Sequence, residues 1–271
     1  MIKQAIIPLA GLGTRLLPLT SVFAKELLPI NGKPGLEYIL DECKEAGIKE
    51  IIFIISVKKK IIKKYYYNDK FFKKILTKKR DKRILSEYKK ICKYKKMIKF
   101  VYQNKPLGTG DAVLKTKNLI KDNFFLMLLP DDLIIKRNCS RDMIKIHNKR
   151  KSAVMASMKV SKNNVSRWGI YSVKSKISKK NFIIKDVVEK PEIKYAPSNN
   201  AVIGRYILPR IIFSKLKKLK KGKDGEIHIT DAINKLIYEG NEFIGHNFVG
   251  KYLDCGTMDG YIKSSLKISK I

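Results

Sequence analysis

The sequence predicts an α/β fold, and three observations support that prediction. Residues Ala5 to Leu9 form a short apolar run with β-branched side chains, which is typical of a buried strand. A segment with helical spacing, Glu37 to Ala46, ends at Gly47 and is followed by a second apolar run, Lys49 to Ser56. Strand, helix and strand in this order indicate a right-handed parallel crossover. A third apolar run, Phe124 to Pro130, adds a central strand.

The alternation of strands and helices changes after residue 150, where shorter strands follow one another. At 271 residues, 44% of them apolar, the chain can bury the core of one domain. We therefore predict a single domain over residues 1–271, with a first half of about 1–150 and a second half of about 151–271. The other predicted strands are Met97 to Gln103, Ala153 to Val160, Gly169 to Val173, Phe182 to Val188, Ala201 to Ile207 and Phe243 to Phe248. The other predicted helices lie within 58–97, 108–117, 209–219 and 229–239, and begin again at Met258.

The formal net charge of +35 raises the question of a nucleic-acid partner. The segment Lys58 to Lys99 holds 19 Lys and Arg against three acids, but basic residues are abundant elsewhere too. The excess is nearly all lysine, whereas arginine is the usual reader of bases. We expect nonspecific binding of polyanions at low salt and no specific nucleic-acid partner. The lysine-rich helices are predicted to turn Ile61, Tyr65 and Phe72 inward.

The cysteines and the apolar runs bear on where the protein works. The four cysteines are scattered without C-x-x-C spacing, which favours reduced thiols over disulfides or a cysteine-held metal. No apolar run approaches the roughly 18 residues of a membrane span, and the first residues have no signal-peptide cleavage pattern. We expect a cytoplasmic protein without a membrane partner.

Two glycines directly after the first predicted strand mark the first candidate site. Gly11 and Gly13 enclose a single residue and precede Arg15, so backbone N–H groups and a guanidinium can approach an anion together. The spacing matches neither G-x-x-x-x-G-K-[ST] nor G-x-G-x-x-G, which argues against the P-loop and dinucleotide-binding motifs. Ten residues later, Lys25 and Glu26 offer a second cation beside a carboxylate. This combination suits a nucleoside triphosphate, although a Gly-x-Gly turn alone is as often structural.

The segment AGLGTRLLPLT followed by AKELLPINGKP resembles the signature of sugar-1-phosphate nucleotidylyltransferases. Within that family it is most similar to the bacterial members that transfer a uridylyl group from UTP to glucose 1-phosphate. Leu12 and Glu26 agree with those members, whereas Ala24 departs from the usual proline. VVEKP, APSNNAVIGRY and GEIHITDAI continue the resemblance, which covers residues 3 to about 267. It implies a Rossmann-like three-layer nucleotidyltransferase fold with a mixed central sheet, a nucleotide-binding first half and a sugar-phosphate-binding second half.

The resemblance also implies which residues hold the nucleotide. The positions that match the family's nucleotide-binding motifs are Ala10, Gly11, Gly13, Thr14, Glu26, Gln103 and Gly108. Gln103 follows a predicted strand, and its amide can both donate and accept, as reading the edge of a pyrimidine requires. Glu26 would help to fix the base. Asp111 is a departure, because uridylyl-transferring members often have histidine there.

Two carboxylates at the ends of predicted strands are the candidates for a metal site. Asp131 follows the apolar run FFLMLLP, and Asp254 ends the strand of YLDCG. Carboxylates beside a phosphate-binding loop are the usual holders of Mg²⁺, and by resemblance these two would hold it here. Asp132 should point the opposite way if the strand geometry persists. The resemblance assigns the catalytic roles to Arg15, Lys25, Asp131 and Lys190.

The resemblance places the sugar phosphate in the second half. Glu189 of VVEKP would accept hydrogen bonds from sugar hydroxyls, and Lys190 would hold the phosphate. Gly169 would let the sugar approach the backbone, with Trp168 in place of the usual tyrosine, and Gly204 lies in the matching segment APSNNAVIGRY. An exposed Glu-Lys pair is otherwise ordinary surface. None of the three histidines has the spacing of a zinc or hydrolase motif.

The reaction implied is attack of a glucose-1-phosphate oxygen on the α-phosphorus of UTP, with release of pyrophosphate and no covalent enzyme intermediate. The expected partners are UTP, glucose 1-phosphate and, by resemblance, further copies of the chain in a dimer or tetramer. Three alternatives remain: a thymidylyltransferase of the same fold, a basic nucleic-acid-binding protein, and a catalytically weak regulatory paralogue. Met258 suggests the last, because the family often has lysine there.

Overall fold

A nine-stranded mixed sheet runs through the computed structural model, which describes residues 2–67, 70–79, 82–222 and 224–270. Its strands, together with four short strands outside it, are β1 Gln4–Pro8, β2 Pro29–Ile30, β3 Lys33–Pro34, β4 Glu50–Ile55, β5 Ile98–Tyr102, β6 Phe124–Leu128, β7 Asp132–Ile135, β8 Ala153–Lys159, β9 Gly169–Lys176, β10 Asn181–Glu189, β11 Asn200–Pro209, β12 Phe243–Asn247 and β13 Lys251–Asp254. The α-helices are α1 Gly35–Glu45, α2 Lys60–Tyr67, α3 Lys70–Lys79, α4 Lys82–Cys92, α5 Gly108–Leu114, α6 Cys139–Arg150, α7 Ile212–Lys217, α8 Ile229–Tyr238 and α9 Met258–Ser269.

The order of the strands separates a parallel part of the sheet from a mainly antiparallel part. Strands β5, β4, β1 and β6 lie side by side and are parallel. The sheet continues through β11, β8, β12, β10 and β9, where only β8 and β12 pair in parallel. The predicted α/β class with a mixed central sheet is therefore confirmed. The sheet takes strands from both sides of residue 150, and the division into two halves stays a prediction.

Helices cover both faces of the sheet, which makes three layers. Along β1 the side chains alternate, so that Ile7 enters one core and Ile6 the other. The first core packs residues of α1, α2, α6 and α9 against the sheet, and the second packs those of α5, α7 and α8. Strand β6 is apolar throughout, and β4 is apolar after Glu50, because both faces of each strand are covered.

Two elements in the middle of the chain were not predicted. Helix α6 has only a narrow apolar stripe, and its start is marked by Asn138, whose side chain accepts a hydrogen bond from the backbone of Arg141. Strand β7 pairs antiparallel with β13, so that Asp132 lies opposite Asp254. A four-residue strand whose partner is more than a hundred residues away gives little local signal.

The inward face of α2 was predicted one residue out of place. Ile61 is exposed, while Ile62 and Tyr66 are buried beside Phe53 of β4, and Tyr65 is half-buried. The segment carries two equivalent pairs at i, i+4 spacing, so periodicity alone does not choose between them. The side chain of Phe72 lies outside the described part of the structure.

A search of the described residues for membrane spans gave none, since no described helix combines the required length with sufficient hydropathy. The four cysteines, all within the described ranges, form no disulfide.

Candidate active site

The parallel strands end at one common edge, and the candidate loops follow that edge. In the registers of the parallel part, Pro8 lies beside Ile54, and Ile55 beside Tyr102. The chain leaves this edge at the glycine turn after β1, at residues 103–110 after β5 and at 129–131 after β6. In open α/β sheets, ligands bind outside the carboxyl ends of the strands. The edge therefore defines a candidate cleft.

The turn after β1 leaves the backbone accessible. Gly13 has φ +72° and lies in the left-handed region, where its missing side chain avoids Thr20. Gly11 is exposed, and neither its backbone conformation nor any neighbour within 4 Å requires a glycine. Packing therefore gives no reason for Gly11, whereas close approach of a ligand to the backbone does. Ala10 is buried and Thr14 is exposed, at the start of a short 3-10 turn.

Two cations converge on Asp131 at the centre of the edge. Lys25 Nζ lies 2.7 Å from Asp131 Oδ2, and Arg15 Nη2 lies 3.6 Å from the same oxygen. Burial disfavours the charged ammonium of Lys25, but Asp131 and Glu26 outweigh that effect and raise its pKa. Burial likewise opposes ionisation of Asp131, yet Lys25 holds the pKa of this carboxyl below its ordinary value. Both groups are therefore charged at neutral pH, and Arg15 remains two-thirds exposed.

Asp254 approaches Asp131 across a glycine that sequence reasoning missed. A Cβ placed on Gly256 would lie 3.0 Å from Asp131 Oδ2 and from Arg15 Nη2, and 3.3 Å from Asp254 Oδ1. The backbone N–H of Gly256 donates to Asp254 Oδ1 at 2.8 Å, and Arg167 lies 3.6 Å from the other oxygen. Any side chain at 256 would intrude between the two carboxylates. The D-C-G sequence was the available signal for this position.

Asp132 faces away from the cleft, as the strand geometry predicted. Its carboxylate accepts hydrogen bonds from the backbone N–H of Gly204 at 2.8 Å and from the Tyr252 hydroxyl at 2.6 Å. Burial and the neighbouring charge of Asp131 raise the pKa of Asp132 to about 6. Its task is to fix the turn that carries Asp131.

Gly204 differs from the expected sugar-binding role. Its N–H is donated to Asp132, and its carbonyl accepts from Leu129 and Arg205. A Cβ on Gly204 would lie 2.5 Å from Asp132 Oδ2. Both backbone groups are thus occupied within the protein. Close packing of β11 against the turn after β6 explains this glycine, and direct contact with a sugar does not.

Glu26 is buried and paired within the protein. Its carboxylate is closed to solvent, and both oxygens accept from Lys59 Nζ, at 2.7 and 2.9 Å. Burial lowers the pKa of Lys59, and the charge of Glu26 opposes that shift. In this arrangement Lys59 occupies both oxygens of the carboxylate, and contact of Glu26 with a base stays a prediction. The pair anchors the 3-10 turn that carries Lys25. Lys59 thereby positions Lys25, and the lysine-rich sequence around Lys59 gave no sign of this role.

Gln103 is buried at the end of β5, and its amide nitrogen is occupied. Nε2 donates to Asp111 Oδ2 at 2.8 Å and to the Gly108 carbonyl at 3.1 Å. In this arrangement the amide nitrogen is used within the protein and only the carbonyl oxygen of Gln103 remains, so contact of both groups with a base stays a prediction. The backbone of Ile227 packs against this loop and accepts from Gly110 N–H at 2.7 Å.

The expected sugar-phosphate residues lie together at the end of β10. Glu189 pairs with Gly169 in the sheet, and a Cβ on Gly169 would lie 3.0 Å from Glu189 Oε2. Lys190 is exposed and has φ +45°, a conformation uncommon for lysine and enriched at functional sites. Its N–H donates to the Trp168 carbonyl at 3.0 Å. Trp168 in turn packs edge-on against Tyr252, which connects this corner to Asp132.

Comparison with known proteins identifies the class to which this fold and this cleft belong. The chain belongs to the Nucleotidyl transferase family, which matches residues 4–271. A UTP–glucose-1-phosphate uridylyltransferase of Mycoplasma pneumoniae is 36% identical, over 98% of this chain and 91% of that protein. The resemblance to sugar-1-phosphate nucleotidylyltransferases, and among them to the uridylyl-transferring enzymes, is confirmed.

Solved structures agree with this result. A UDP-glucose pyrophosphorylase complexed with UDP-glucose has a TM-score of 0.88 and 34% identity, and covers 100% of this chain and 99% of its own. A UTP-bound UGPase from Acinetobacter baumannii has a TM-score of 0.90 and 33% identity, with coverage of 99% and 93%. A glucose-1-phosphate thymidylyltransferase structure from Bacillus anthracis shares the fold at 21% identity and a TM-score of 0.76.

Proposed function

We propose that this chain makes UDP-glucose and pyrophosphate from UTP and glucose 1-phosphate. The observation that carries the proposal is the approach of Asp131 and Asp254 to one point at the carboxyl edge of the sheet, beside Arg15 and Lys25. Two cations and two carboxylates beside an open glycine turn suit a metal-bound triphosphate. The family of the chain supplies the transfer chemistry.

The triphosphate would enter over Gly11 and the exposed Thr14. Arg15 is free to turn towards it, because two-thirds of its side chain is exposed and its contact with Asp131 is long at 3.6 Å. Lys25 is held more firmly, at 2.7 Å from Asp131. In the proposed reaction these two side chains neutralise the charge that develops on the leaving pyrophosphate. No covalent step by the protein is required.

The carboxylates fit Mg²⁺, and we propose that Asp131 and Asp254 hold it. Mg²⁺ takes one or two protein carboxylates and completes its shell with waters and substrate phosphates. Asp131 is ionised, and the missing side chain at Gly256 keeps the space between the carboxylates open. Bound Mg²⁺ would supply charge neutralisation and orientation of the phosphates. Lys25 and Arg15, which now balance Asp131, would then be released towards the nucleotide.

Glucose 1-phosphate is assigned to the corner formed by Gly169, Glu189 and Lys190. Glu189 is exposed and can accept hydrogen bonds from sugar hydroxyls, and Lys190 can hold the phosphate by its charge. The protein holds the acceptor oxygen in line with the α-phosphorus, and such positioning supplies a large share of the rate enhancement in phosphoryl chemistry.

We further propose that the enzyme works in the cytoplasm as a dimer or tetramer. The segment after the glycine turn exposes a group of large apolar side chains that a second copy could cover: Leu12, Leu17, Leu19, Val22 and Phe23. Light scattering coupled to size exclusion would measure the mass in solution. A strictly monomeric enzyme with full activity would contradict this part of the proposal.

A matrix of four nucleoside triphosphates and several sugar phosphates, assayed by pyrophosphate release with and without Mg²⁺, tests the proposed function. UTP with glucose 1-phosphate should be the best pair, and chelation of the metal should abolish release. Some use of dTTP is expected, because a methyl group gives only about 1–3 kcal/mol of discrimination. Release that is faster with dTTP than with UTP would favour the thymidylyl alternative. No release from any pair would favour the regulatory paralogue.

A further inference from the structure

The amide of Gln103 is held in one orientation by two acceptors. Asp111 Oδ2 lies 2.8 Å from Nε2, and the Gly108 carbonyl oxygen lies 3.1 Å from the same nitrogen. A carboxylate and a backbone carbonyl can only accept hydrogen bonds, so the NH₂ end of the amide must face them. A flipped amide would bring its oxygen against both acceptors. The assignment of oxygen and nitrogen therefore follows from the chemistry of the neighbours.

The two oxygens of Asp111 have separate partners. Oδ2 accepts from Gln103, while Oδ1 lies 3.5 Å from Lys115 Nζ, one helical turn later in α5. Asp111 is 6% exposed, whereas its lysine partner is about half exposed. The carboxylate is thus oriented from the solvent side and presents one oxygen to the interior. This arrangement holds the amide more firmly than a neutral acceptor would.

The other end of the amide remains available. Within the described ranges, no group donates a hydrogen bond to Gln103 Oε1. Gln103 follows β5 at the carboxyl edge of the sheet, on the same edge as the glycine turn. The free group of this residue is therefore a hydrogen-bond acceptor at the edge where the nucleotide is proposed to bind.

We propose that Asp111 is a specificity-determining positioning residue, which selects the base by fixing Gln103 with its carbonyl oxygen towards the nucleotide. The inference rests on the proposed uridylyl transfer and on Gln103 as the reader of the base, which the resemblance implies, and adds the residue that orients its amide. Uracil presents an N3–H donor, which the fixed oxygen accepts. Cytosine presents a lone pair at N3, which the same oxygen repels. Thymine shares the uracil edge and is not discriminated by this contact.

The carboxylate of Asp111 is a pure acceptor. Asp111 therefore does not act on the substrate. It removes the alternative rotamer in which Gln103 would offer its NH₂ group to cytosine N3. A side chain that fixes an amide in this way changes discrimination between bases, while the reacting phosphates are untouched.

The experiment compares kcat/KM for UTP, CTP and dTTP in the full-length enzyme and its variants. Asp111→Leu should lower the preference for UTP over CTP about tenfold, since a hydrogen bond to a charged group contributes at least about that factor. The ratio of UTP to dTTP should stay constant, which a general loss of structure would not explain. Gln103→Ala removes the amide itself and should show the largest loss of preference for UTP over CTP.

Two further variants serve as controls. Asp111→Asn can accept from Gln103 through its own oxygen but can also turn its NH₂ group towards Gln103 Oε1, so it should lose part of the UTP preference, and less than Asp111→Leu loses. Lys115→Met removes only the half-exposed outer partner of Asp111 and should change the preference much less than Asp111→Leu does, because an exposed ion pair contributes little. If Asp111→Leu does not fold, Asp111→Ala carries the same expectation.

The outcomes separate the two proposals. A native enzyme that does not use UTP would overturn the proposed function. A native enzyme that prefers UTP, with Asp111→Leu and Asp111→Ala variants that keep the full preference over CTP, would overturn the inference alone. Equal losses with UTP, CTP and dTTP would also overturn it, because they would show a structural role.

Discussion

The cleft edge and the polar layer beneath it use the same residue types in different ways. At the edge, Arg15, Lys25 and Asp131 form contacts that are open on one side, and Arg15 is two-thirds exposed. Beneath it, Arg205 and Glu42 are buried and joined by hydrogen bonds of 2.9 to 3.1 Å. Arg205 also donates to the carbonyl of Asp132 at 2.7 Å.

The difference shows how the surroundings of a charged pair indicate its role. In the buried layer each guanidinium N–H and carboxylate oxygen has a partner within the protein, so the pair can only hold elements together. Arg205 joins β11, α1 and the turn after β6. At the edge the partners are exchangeable, and a substrate phosphate or a metal can replace them. Exposure to solvent, and not residue type, distinguishes charged residues that can act on a ligand from charged residues that only support the fold.

The largest effect is expected at the carboxylates that are proposed to hold the metal. Asp131→Asn should lower kcat roughly a thousandfold, because a neutral amide no longer holds the cation that stabilises the transition state. Circular dichroism should show a retained fold. Asp259→Asn is the matched control, since that aspartate is exposed and forms a surface ion pair with Lys263, and the kcat of this variant should be unchanged. Near-native turnover of folded Asp131→Asn would remove Asp131 from the proposed site.

A change in the buried layer should affect stability before activity. Arg205→Met leaves Glu42 buried without its partner and should lower the free energy of unfolding by about 3–5 kcal/mol. Arg141→Met, at a surface ion pair with Glu45, should cost less than about 1 kcal/mol. Urea titration measures both. A loss for Arg205→Met no larger than that of the surface control would show that the buried layer is not a support.

Lys59 pairs with the buried Glu26 and so links the interior to Lys25 at the cleft edge. Its replacement should reduce activity by an intermediate amount. Lys59→Met releases Glu26 and with it the short turn that orients Lys25. We expect kcat/KM for UTP to fall about tenfold through misplacement of Lys25. The double variant Lys59→Met with Glu26→Leu removes both charges and should recover part of the stability. Unchanged kinetics of Lys59→Met would mean that Lys25 is held by Asp131 alone.

The smallest effect is expected for the lysine excess. Replacing Lys89, Lys95 and Lys96 by glutamine should leave turnover almost unchanged, because Lys95 and Lys96 precede β5 whereas the cleft loop follows its carboxyl end, and Lys89 is exposed on α4. Binding to heparin or nonspecific DNA should weaken, and the difference should vanish at high salt. A salt-resistant loss of sugar-nucleotide synthesis would give this region a functional role.

The phosphate end of the site could be predicted from sequence because its signals are local. The turn after β1 and the Lys-Glu pair that follows are contiguous motifs, and Asp131 directly follows an apolar strand. Periodicity also predicted every strand of the central sheet. These features depend on neighbouring residues, which a single sequence displays.

The roles of Glu26, Gln103 and Gly204 could not be predicted in the same way, because their partners are distant or unmarked. Gly204 meets Asp132 across 72 residues, and Arg205 meets Glu42 across 163. Lys59 is one of several lysines in a run, and nothing in the run shows which one is buried. In the sequence, Asp111 stands out only as a departure from the motif that the chain resembles. Its role depends on which atom of Gln103 it hydrogen-bonds.

The most direct test follows labelled phosphorus through a single turnover with glucose 1-phosphate and Mg²⁺. With UTP labelled on the α-phosphate, the label should appear in UDP-glucose; with UTP labelled on the γ-phosphate, it should appear in pyrophosphate. No label should remain on the denatured protein, because the cleft positions the substrates without a covalent intermediate. Label recovered as orthophosphate, on a phosphorylated sugar or on the protein would contradict uridylyl transfer by this cleft.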